Sequence, residues 1–445
     1  MSTTPARPRA SLLLLAYLAF VSLGLPDGLL GVSWPSTRSD FGVPTEAVGW
    51  VLTAGTVGYL ASSVLAGFTL ARVGVGALLA GSTLLASLAL IGYSVSPVLA
   101  VLVGCALLLG LGSGAIDSGL NAYAAGAFGP REMNWLHAFF GLGVAIGPLI
   151  MTGVLSAGLA WRWGYGIVAA AQLVLAAAFV LTVRAWHRGV PAHTAIADAA
   201  GTEPTGTAPT GTEPAGTAPA ASAVVRIPVR ETLLLPAVWS GALAFALYVA
   251  IEVSAGLWAF LLLTEGRGVS AAVAGGCVSA YWGSLFVGRV VQGVVAERLG
   301  ASLVLRASLA GMAVGAALIA VPGPAALAVL GLVVVGFAAA PVFPLLTLTT
   351  ADRVGTAHAD RAIGLQIGAS GVGAALVPGG LGVLIGNTSV QVLGSALVVL
   401  ALGLIALYEW GARRPAAGPP APVVPAQPDG EDQTSGPVRP VVDGR

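Results

Sequence analysis

The sequence predicts an all-α membrane protein with twelve transmembrane helices arranged as two pseudo-symmetric six-helix bundles. Three observations predict this fold class. The 445 residues are 56% hydrophobic and only 9% charged, whereas a soluble domain carries about 25% charged residues. The chain contains twelve apolar segments near the length of ~20 residues that crosses a bilayer. A short loop motif also occurs once in each half of the chain, which indicates a duplicated unit.

The first span needs a separate argument, because Arg7 and Arg9 precede an apolar run in the manner of a signal peptide. The run is too long for one, contains Asp27, and lacks a small-x-small cleavage site. We therefore expect a retained first span. The twelve predicted spans cover 10–35, 46–70, 73–94, 97–127, 133–158, 163–184, 235–263, 271–295, 301–321, 323–350, 361–384 and 389–411.

A different kind of sequence separates the sixth and seventh spans. Residues 201–220 read GTEPTGTAPT GTEPAGTAPA, a ten-residue unit that occurs twice. Because Pro, Gly, Thr and Ala without apolar periodicity cannot bury a core, this composition is typical of a disordered linker. The predicted domains are therefore a cytoplasmic N-terminus (1–9), an N-terminal bundle (10–186), a disordered cytoplasmic linker (187–234), a C-terminal bundle (235–411) and a disordered cytoplasmic tail (412–445).

The distribution of arginine predicts the orientation of the chain. All 20 basic residues are arginine, and a cytoplasmic N-terminus places 17 of them on the inside. Only Arg38, Arg162 and Arg267 then fall outside, as expected when basic residues stay on the cytoplasmic side. We expect a multi-pass protein of the plasma membrane with both termini in the cytoplasm. The net charge of +1 gives no reason to expect a nucleic-acid partner.

The two halves of the chain contain the same loop pattern, Gly-x4-Arg-x-Gly. It reads GFTLARVG after the second span and GVVAERLG after the eighth. Applying the same offset of 226 residues to Asp27 in the first span gives a position next to Glu252 in the seventh. A duplicated bundle with a binding site between its halves is typical of a parallel-repeat transporter. The equivalent pairs are Gly67 and Gly293, Arg72 and Arg298, and Gly74 and Gly300.

Carboxyl groups within the apolar spans are candidate proton carriers. Asp117 and Asn121 stand at i and i+4 in the fourth span, so they share one face of a helix. An ionisable side chain in hydrocarbon is by default a functional-site hypothesis. A carboxyl group in a low-dielectric cavity resists ionisation, so it can load a proton from one side and release it to the other. We expect Asp117 to do this, with Asp27 and Glu252 as second carriers or hydrogen-bond partners of the solute; a structural carboxyl bonded between helices is the alternative.

Other polar and aromatic side chains are candidates for solute binding. His137, early in the fifth span, is suited to relaying protons, to donating a hydrogen bond to solute, or to capping its helix. Asn121 and Gln366 suit hydroxyl recognition, although each also suits a plain bond between helices. Aromatic rings in the seventh and eighth spans offer faces for stacking on a sugar, with packing as the alternative. The aromatic candidates are Tyr248, Trp258, Tyr281 and Trp282, together with Phe140 in the fifth span.

The span count, the central loop and the repeated Gly-x4-Arg-x-Gly loops together resemble the major facilitator superfamily (MFS fold). This resemblance implies a monomeric secondary transporter that works by alternating access. The sequence departs from the superfamily's loop motif at Ala71, where the first-half loop usually carries Asp, so the first-half latch of the cytoplasmic gate is in doubt. In the second half, Arg289 with Glu297 and Arg298 is expected to support the equivalent latch.

A narrower set of motifs resembles the fucose–galactose–glucose proton symporter family. Asp117 and Asn121 match its fourth span, and Asn134 and His137 match the start of its fifth, although the fucose symporters have Gln where His137 stands. The runs LYVAIEVSAGLW and YWGSLFVGR also look like this family, as do Pro344 and the segment 366–378. The resemblance implies proton-coupled sugar uptake, with the exact solute left open by His137.

Two other functions remain open. The run from Gly143 to Pro148 resembles the Gly-x3-Gly-Pro antiporter motif of drug exporters, so export of a drug or secondary metabolite in exchange for protons is the alternative to uptake. A non-transporting solute sensor is a remote third. No nucleotide loop, metal-ligand cluster or nucleophile–base signature predicts an enzyme. We expect no cofactor and no metal, with the proton gradient as energy source and a small-molecule solute and the lipid bilayer as partners.

Overall fold

The computed structural model describes residues 10–128, 130–187 and 228–413. Regular secondary structure in these ranges is helical, without a β-strand. The predicted N-terminus (1–9), most of the predicted linker (188–227) and nearly all of the predicted tail (414–445) lie outside the described residues.

Five long helices form the N-terminal half. Short 3₁₀ turns at Thr45–Ala47 and Val183–His187 precede the second of these helices and follow the fifth. The helices are α1 (Ala10–Phe41), α2 (Val48–Val95), α3 (Leu99–Ala127), α4 (Pro130–Ser156) and α5 (Arg162–Thr182).

The described part of the C-terminal half, residues 228–413, contains nine helices, three of them short. The second continues into a π-helical turn at Leu262–Gly266. The helices are α6 (Val229–Leu233), α7 (Pro236–Leu261), α8 (Ala271–Leu299), α9 (Ala301–Ala320), α10 (Ala325–Ala339), α11 (Val342–Leu348), α12 (Thr350–Val354), α13 (Thr356–Asn387) and α14 (Val392–Ala412).

The predicted number of membrane crossings is confirmed once the helix α2 is divided. Eleven helical segments of the described chain are long and apolar enough to cross a membrane, and one of them covers Thr45–Val95. Its 51 residues would extend about 77 Å as a straight helix, more than twice the ~30 Å hydrocarbon core. Gly74, with φ of 77°, breaks the helical backbone between the second and third predicted spans. The eleven segments therefore correspond to twelve crossings.

Two predicted segments contain features that were not predicted from the sequence. The tenth predicted span, 323–350, is not one helix, because α10 ends at Ala339 and α11 begins after Pro341. Proline lacks the N–H that would continue the helical ladder. The linker predicted for 187–234 contains the helix α6. The hydroxyl group of its buried Thr232 lies 2.8 Å from Nδ1 of His358. That contact attaches the end of the predicted linker to α13.

The helix pairs within and between the halves follow the predicted two-fold repeat. In the N-terminal half α1 packs on α4, and in the C-terminal half α7 packs on α13. Between the halves α4 packs on α8, and α2 packs on α13. Under the two-fold repeat, the pair α1–α4 corresponds to α7–α13, and the pair α4–α8 corresponds to α13–α2. Gly74 and Gly300, the last residues of the two loop motifs, also share a positive φ, of 77° and 83°.

Glycines bring α1 and α4 into backbone contact. Gly24 and Gly28 of α1 face Phe140 and Val144 of α4, whose carbonyl oxygens occupy the space that a Cβ would need. In the opposite direction, a Cβ on Gly147 would lie 2.6 Å from the Leu25 carbonyl oxygen. Small residues four apart on both helices allow such close approach in lipid. The Gly-x3-Gly-Pro run of α4 is therefore a packing surface for α1.

For clarity we call the membrane face where α1 begins and α14 ends the terminal face, and the opposite one the distal face. The halves meet closely near the distal face. Arg38 of α1 forms an ion pair of 2.9 Å with Glu265, just after α7. A Cβ on Gly31 would lie 2.8 Å from the Leu257 carbonyl oxygen, and one on Gly49 would lie 3.2 Å from Gly379 Cα. These contacts close the distal side of the boundary between the halves.

Candidate functional site

The Asp117 carboxylate is the centre of a hydrogen-bonded group in the N-terminal half. The Tyr59 hydroxyl of α2 donates to Oδ2 at 2.7 Å, and Asn121 Nδ2 donates to Oδ1 at 3.0 Å. The Asn121 bond runs along one face of α3, as the i, i+4 spacing predicts. Each carboxylate oxygen therefore has one donor, and the Asp117 side chain is half-buried rather than sealed.

Two further ionisable groups lie near Asp117 or its hydrogen-bond donor Tyr59. His137 of α4 is within electrostatic range of Asp117, its side chain is exposed, and its ring meets Phe20 edge-on at 5.4 Å between centroids. Asp27 of α1 is within electrostatic range of Tyr59. It is exposed although its neighbours on both sides are buried. We call Asp27, Tyr59, Asp117, Asn121 and His137 the N-half polar cluster.

A second group lies across the boundary. The Tyr248 hydroxyl donates to the Glu252 carboxylate within α7, and the Tyr281 hydroxyl of α8 donates to the Glu252 carbonyl oxygen at 2.7 Å. Arg289 of α8 is within electrostatic range of Glu252. We call Tyr248, Glu252, Tyr281 and Arg289 the C-half polar cluster. The offset that relates Asp27 to Glu252 in the sequence thus places one carboxylate in each cluster.

Arg289 connects the two clusters. It is within electrostatic range of His137 in the opposite half, and its Nη1 lies 3.9 Å from the place where a Cβ on Gly141 of α4 would stand. His137 and Gly141 are one turn apart on α4, so the guanidinium approaches that helix beside His137. A line of ionisable side chains therefore extends from one half to the other within the membrane-spanning segments. Its members, in order, are Asp117, His137, Arg289 and Glu252.

The loop motif lies near the terminal face, at a distance from this line of groups. Arg72 and Arg298 are exposed there. Arg289 is about two and a half helical turns before Arg298 on α8, so it lies deeper than a residue of the loop itself. Its predicted part in a gate latch stays a prediction. The side chain of Glu297 and the surroundings of Gly293 lie outside the described residues. Gly67 is exposed, and a Cβ added to it would have no described atom of another element within 4 Å.

Two residues predicted to bind solute are buried and form hydrogen bonds between helices in this conformation. Trp258 is 1% exposed, and its Nε1 donates to the Pro378 carbonyl oxygen of α13 at 3.1 Å. Gln366 is 3% exposed, and its Oε1 accepts a hydrogen bond of 3.0 Å from Thr350. Both side chains join neighbouring helices of one half. The bond between helices, given above as the alternative for Gln366, is the one observed.

Two further aromatic candidates, Tyr248 and Trp282, also lack an open face here. Tyr248 is fully buried, and its hydroxyl is engaged by Glu252. Trp282 is 9% exposed; its ring packs against Gly256 and meets Tyr281 at 4.9 Å between centroids. Tyr248 thus belongs to the polar cluster through its hydroxyl rather than through stacking, and Trp282 supports the neighbouring Tyr281.

Tyr59 is a member of the site that the sequence did not single out. A tyrosine in an apolar span is usually a packing or interface residue. Only the pairing of α2 with α3 reveals that its hydroxyl reaches Asp117. Tyr59 could have been proposed by considering the polar side chains of the helices next to the one that carries the carboxylate.

The chemistry available to these clusters is that of protons, hydrogen bonds and fixed charge. Among the described residues no group of three His, Cys, Asp or Glu side chains is arranged to hold a metal ion. Cys105 and Cys277 are free thiols. The carboxyl groups can exchange protons, while Asn121 and the tyrosine hydroxyls can bond to a polar solute.

Comparison with known proteins agrees with the architecture. The family model of the Major Facilitator Superfamily matches residues 16–378 and 248–430. The 3-(3-hydroxy-phenyl)propionate transporter of Escherichia coli (strain K12) is 30% identical over 178 residues, which is 38% of this chain. That match spans 44% of the relative's length, so the chain covers less than half of it.

Solved transporter structures show the same fold at low sequence identity. A bacterial homolog of the human lysosomal transporter Spinster, in an inward-facing and occupied conformation, has a TM-score of 0.68 at 12% identity, covering 93% of this chain and 98% of its own. The peptide transporter POT in complex with sulfate has a TM-score of 0.67 at 15% identity, covering 92% and 97%. A mutant of the nucleoside transporter NupG has a TM-score of 0.67 at 14% identity, covering 89% and 98%.

The narrower likeness to the fucose–galactose–glucose symporters stays a prediction. The twelve crossings, the two-fold pairing of helices and a family match over more than half of the sequence agree on one assignment. The chain belongs to the Major Facilitator Superfamily.

Proposed function

We propose that the protein is a proton-coupled secondary transporter that takes up a small polar solute, with hexose sugars as the first class of solute. The observation that carries this proposal is the Asp117 carboxylate, held by Tyr59 and Asn121 within a membrane-spanning helix. Intramembrane carboxylates are rare and mark ion and proton pathways. A group so placed can carry a proton between the two faces.

The half-buried state of Asp117 supports this role. Two donors compensate the charge of the carboxylate after it releases a proton. Because the halves are in close contact near the distal face, we propose that the present conformation exchanges protons and solute through the terminal face. Opening the distal contacts would then give Asp117 access to the other side.

The orientation and direction are part of the proposal. The arginine distribution supports placing the terminal face in the cytoplasm, so the present conformation would open inward in the plasma membrane of the cell. The Gly143–Pro148 run packs against α1 and therefore gives no separate support for export. We propose that the transporter works as a monomer with the proton gradient as its only energy source.

The class of solute is supported by the types of side chain around Asp117. Asn121 and the tyrosine hydroxyls suit the hydroxyl groups of a sugar, in line with the sequence resemblance to sugar symporters. Hydroxylated aromatic acids are the second class, because the E. coli relative is described as a transporter of 3-(3-hydroxy-phenyl)propionate. Both classes carry hydroxyl groups that this cluster can bond.

Transport into proteoliposomes under an imposed pH gradient tests the proposal. We expect the wild type to accumulate a hexose against its concentration gradient and Asp117→Asn to lose this accumulation by at least about tenfold, since the amide cannot carry a proton. Exchange of labelled for unlabelled hexose without a gradient should survive in the variant. Asp352→Asn, an exposed carboxyl on α12, is the matched control.

The result also separates uptake from export. Equal accumulation by the wild type and Asp117→Asn would overturn the role of Asp117. If no hydroxylated solute moves while a drug-like dye is driven against the proton gradient, the protein is an exporter, and the uptake proposal fails.

A further inference from the structure

Arg289 is an ionised side chain that the proton chemistry proposed above does not use. It lies between the halves, beside His137 and Gly141 on one side and within range of Glu252 on the other. Arginine stays charged at any physiological pH. A permanent charge within a membrane-spanning segment requires compensation by another group.

The neighbouring acids do not supply an ion pair. Among the described residues no carboxylate lies within 4.0 Å of the Arg289 guanidinium. The Glu252 carboxylate accepts its hydrogen bond from Tyr248, and the Asp117 carboxylate takes its two from Tyr59 and Asn121. Arg289 is half-buried. Among the described residues it is therefore a cation without an ion-pair partner, at the boundary between the halves.

Proton loading makes this imbalance larger. When Glu252 is protonated for transport, that acid no longer compensates the charge of Arg289. A solute that brings its own negative charge would restore the balance in the same step. The planar guanidinium offers paired N–H donors that fit the two oxygens of a carboxylate.

We propose that Arg289 is the binding site for a carboxylate group of the transported solute, so that the preferred substrates are hydroxylated organic monocarboxylates. This inference rests on the proposed transport function and narrows its substrate class. The carboxylate would pair with Arg289 from the C-terminal half, while the hydroxyl groups bond the N-half polar cluster. Sugar acids and aromatic acids share this chemistry, and the experiment distinguishes them.

Binding to the detergent-purified full-length protein, followed by isothermal calorimetry, tests the proposal with matched pairs of ligands. The first pair is D-glucuronate and D-glucose, and the second is 3-phenylpropionate and 3-phenylpropanol. Each pair differs chiefly by the carboxylate. We expect the wild type to bind the acid of one pair at least about tenfold more tightly than its neutral partner, which is 1.4 kcal/mol. The ligand pair that shows the difference identifies whether the solute is a sugar acid or an aromatic acid.

Three variants assign the preference to Arg289. Arg289→Gln should remove the preference, so that the acid and its neutral partner bind with similar affinity. Arg289→Lys should keep part of it, because an ammonium retains the charge but not the paired donors. Arg413→Gln, which removes an exposed arginine at the end of α14, should behave as the wild type.

The outcomes also distinguish failure of the carboxylate site from failure of the proposed proton-coupled transport. Equal affinity for acid and neutral partner in the wild type, binding of neither acid, or an unchanged preference in Arg289→Gln overturns the carboxylate site. If the wild type nevertheless accumulates neutral hexose under a pH gradient, the transport function stands without it. The wild-type comparison needs no variant, so misfolding of Arg289→Gln does not decide the result.

Discussion

Arg38 and Glu265 form an ion pair of 2.9 Å that joins the two halves of the protein at the distal face. Arg38 also donates to the Thr45 hydroxyl at 2.8 Å. The other two arginines predicted to lie outside are engaged as well: Arg162 pairs with Asp40, and Arg267 donates to three backbone carbonyls. Of the three, Arg38 is the one whose ion pair must break when the distal face opens.

The first prediction concerns this ion pair. Glu265→Gln removes the charge attraction between the halves, so we expect a larger population open at the distal face. The pair is partly exposed, at 27% and 52% of the two side chains, and such pairs contribute roughly 0.2–1 kcal/mol. The shift should therefore reach about fivefold at most. Spin-label distances between the distal ends of α1 and α7 would measure it.

Glu409→Gln is the control for that experiment, because Arg306 and Glu409 form an ion pair of 2.7 Å within the C-terminal half. It should leave the distance distribution unchanged. The same shift in both variants would show that a general loss of surface charge, rather than the contact between the halves, is responsible.

The second prediction concerns the hydroxyl bonded to Asp117. Tyr59→Phe removes one donor of 2.7 Å, and a hydrogen bond to a charged group contributes about 1.5–3 kcal/mol. We expect gradient-driven uptake to fall by about tenfold or more. In an Asp117→Asn background the same change should have little further effect, since the two residues act through one bond.

Tyr165→Phe provides the comparison, because its hydroxyl bonds Ser33 at 2.9 Å elsewhere in the same half. Uptake by this variant should stay near the wild-type level once the amount of folded protein is taken into account. A full additional loss when Tyr59→Phe is combined with Asp117→Asn would contradict a shared role.

The third prediction separates packing from solute binding at Trp258. Trp258→Phe removes the bond to the Pro378 carbonyl oxygen and leaves space beside Gly382, so the free energy of unfolding should fall by about 1–3 kcal/mol. Thermal unfolding in detergent measures this. Solute affinity of the protein that remains folded should not change. A selective loss of affinity at unchanged stability would restore the stacking role predicted from the sequence.

The fourth prediction concerns the contact between α1 and α4. In Gly147→Ala the new methyl group would lie 2.6 Å from the Leu25 carbonyl oxygen and 2.9 Å from Gly28 Cα. Such overpacking costs typically 1–3 kcal/mol, so the unfolding temperature should fall. Gly153→Ala on the same helix has nothing within 4 Å of its Cβ and should be neutral or slightly stabilising. Equal effects of both substitutions would show that helix propensity, rather than contact, decides the outcome.

Several features of the architecture follow from local sequence. Hydropathy predicts the crossings, because a span must satisfy its backbone within one helix and present apolar side chains to lipid. The repeated loops predict the two-fold pairing, and Gly74 and Gly300 break their helices where the motif places them. The break at Pro341 and the helix α6 were missed, because a boundary inside a uniformly apolar run and a short helix held by Thr232 leave no hydropathy signal.

The candidate site divides in the same way. The sequence by itself determined that Asp117 and Asn121 share a face and that Asp27 and Glu252 are related by the repeat, since both follow from spacing along the chain. Only the tertiary structure decided that Tyr59 bonds Asp117, that Arg289 crosses to α4, and that Trp258 and Gln366 are buried. The physical reason is that spacing along the chain determines which residues are neighbours within one helix. The partner on another helix depends on how the two helices are rotated and how closely they approach. Here glycine contacts such as that of Gly28 with Val144 decide the approach.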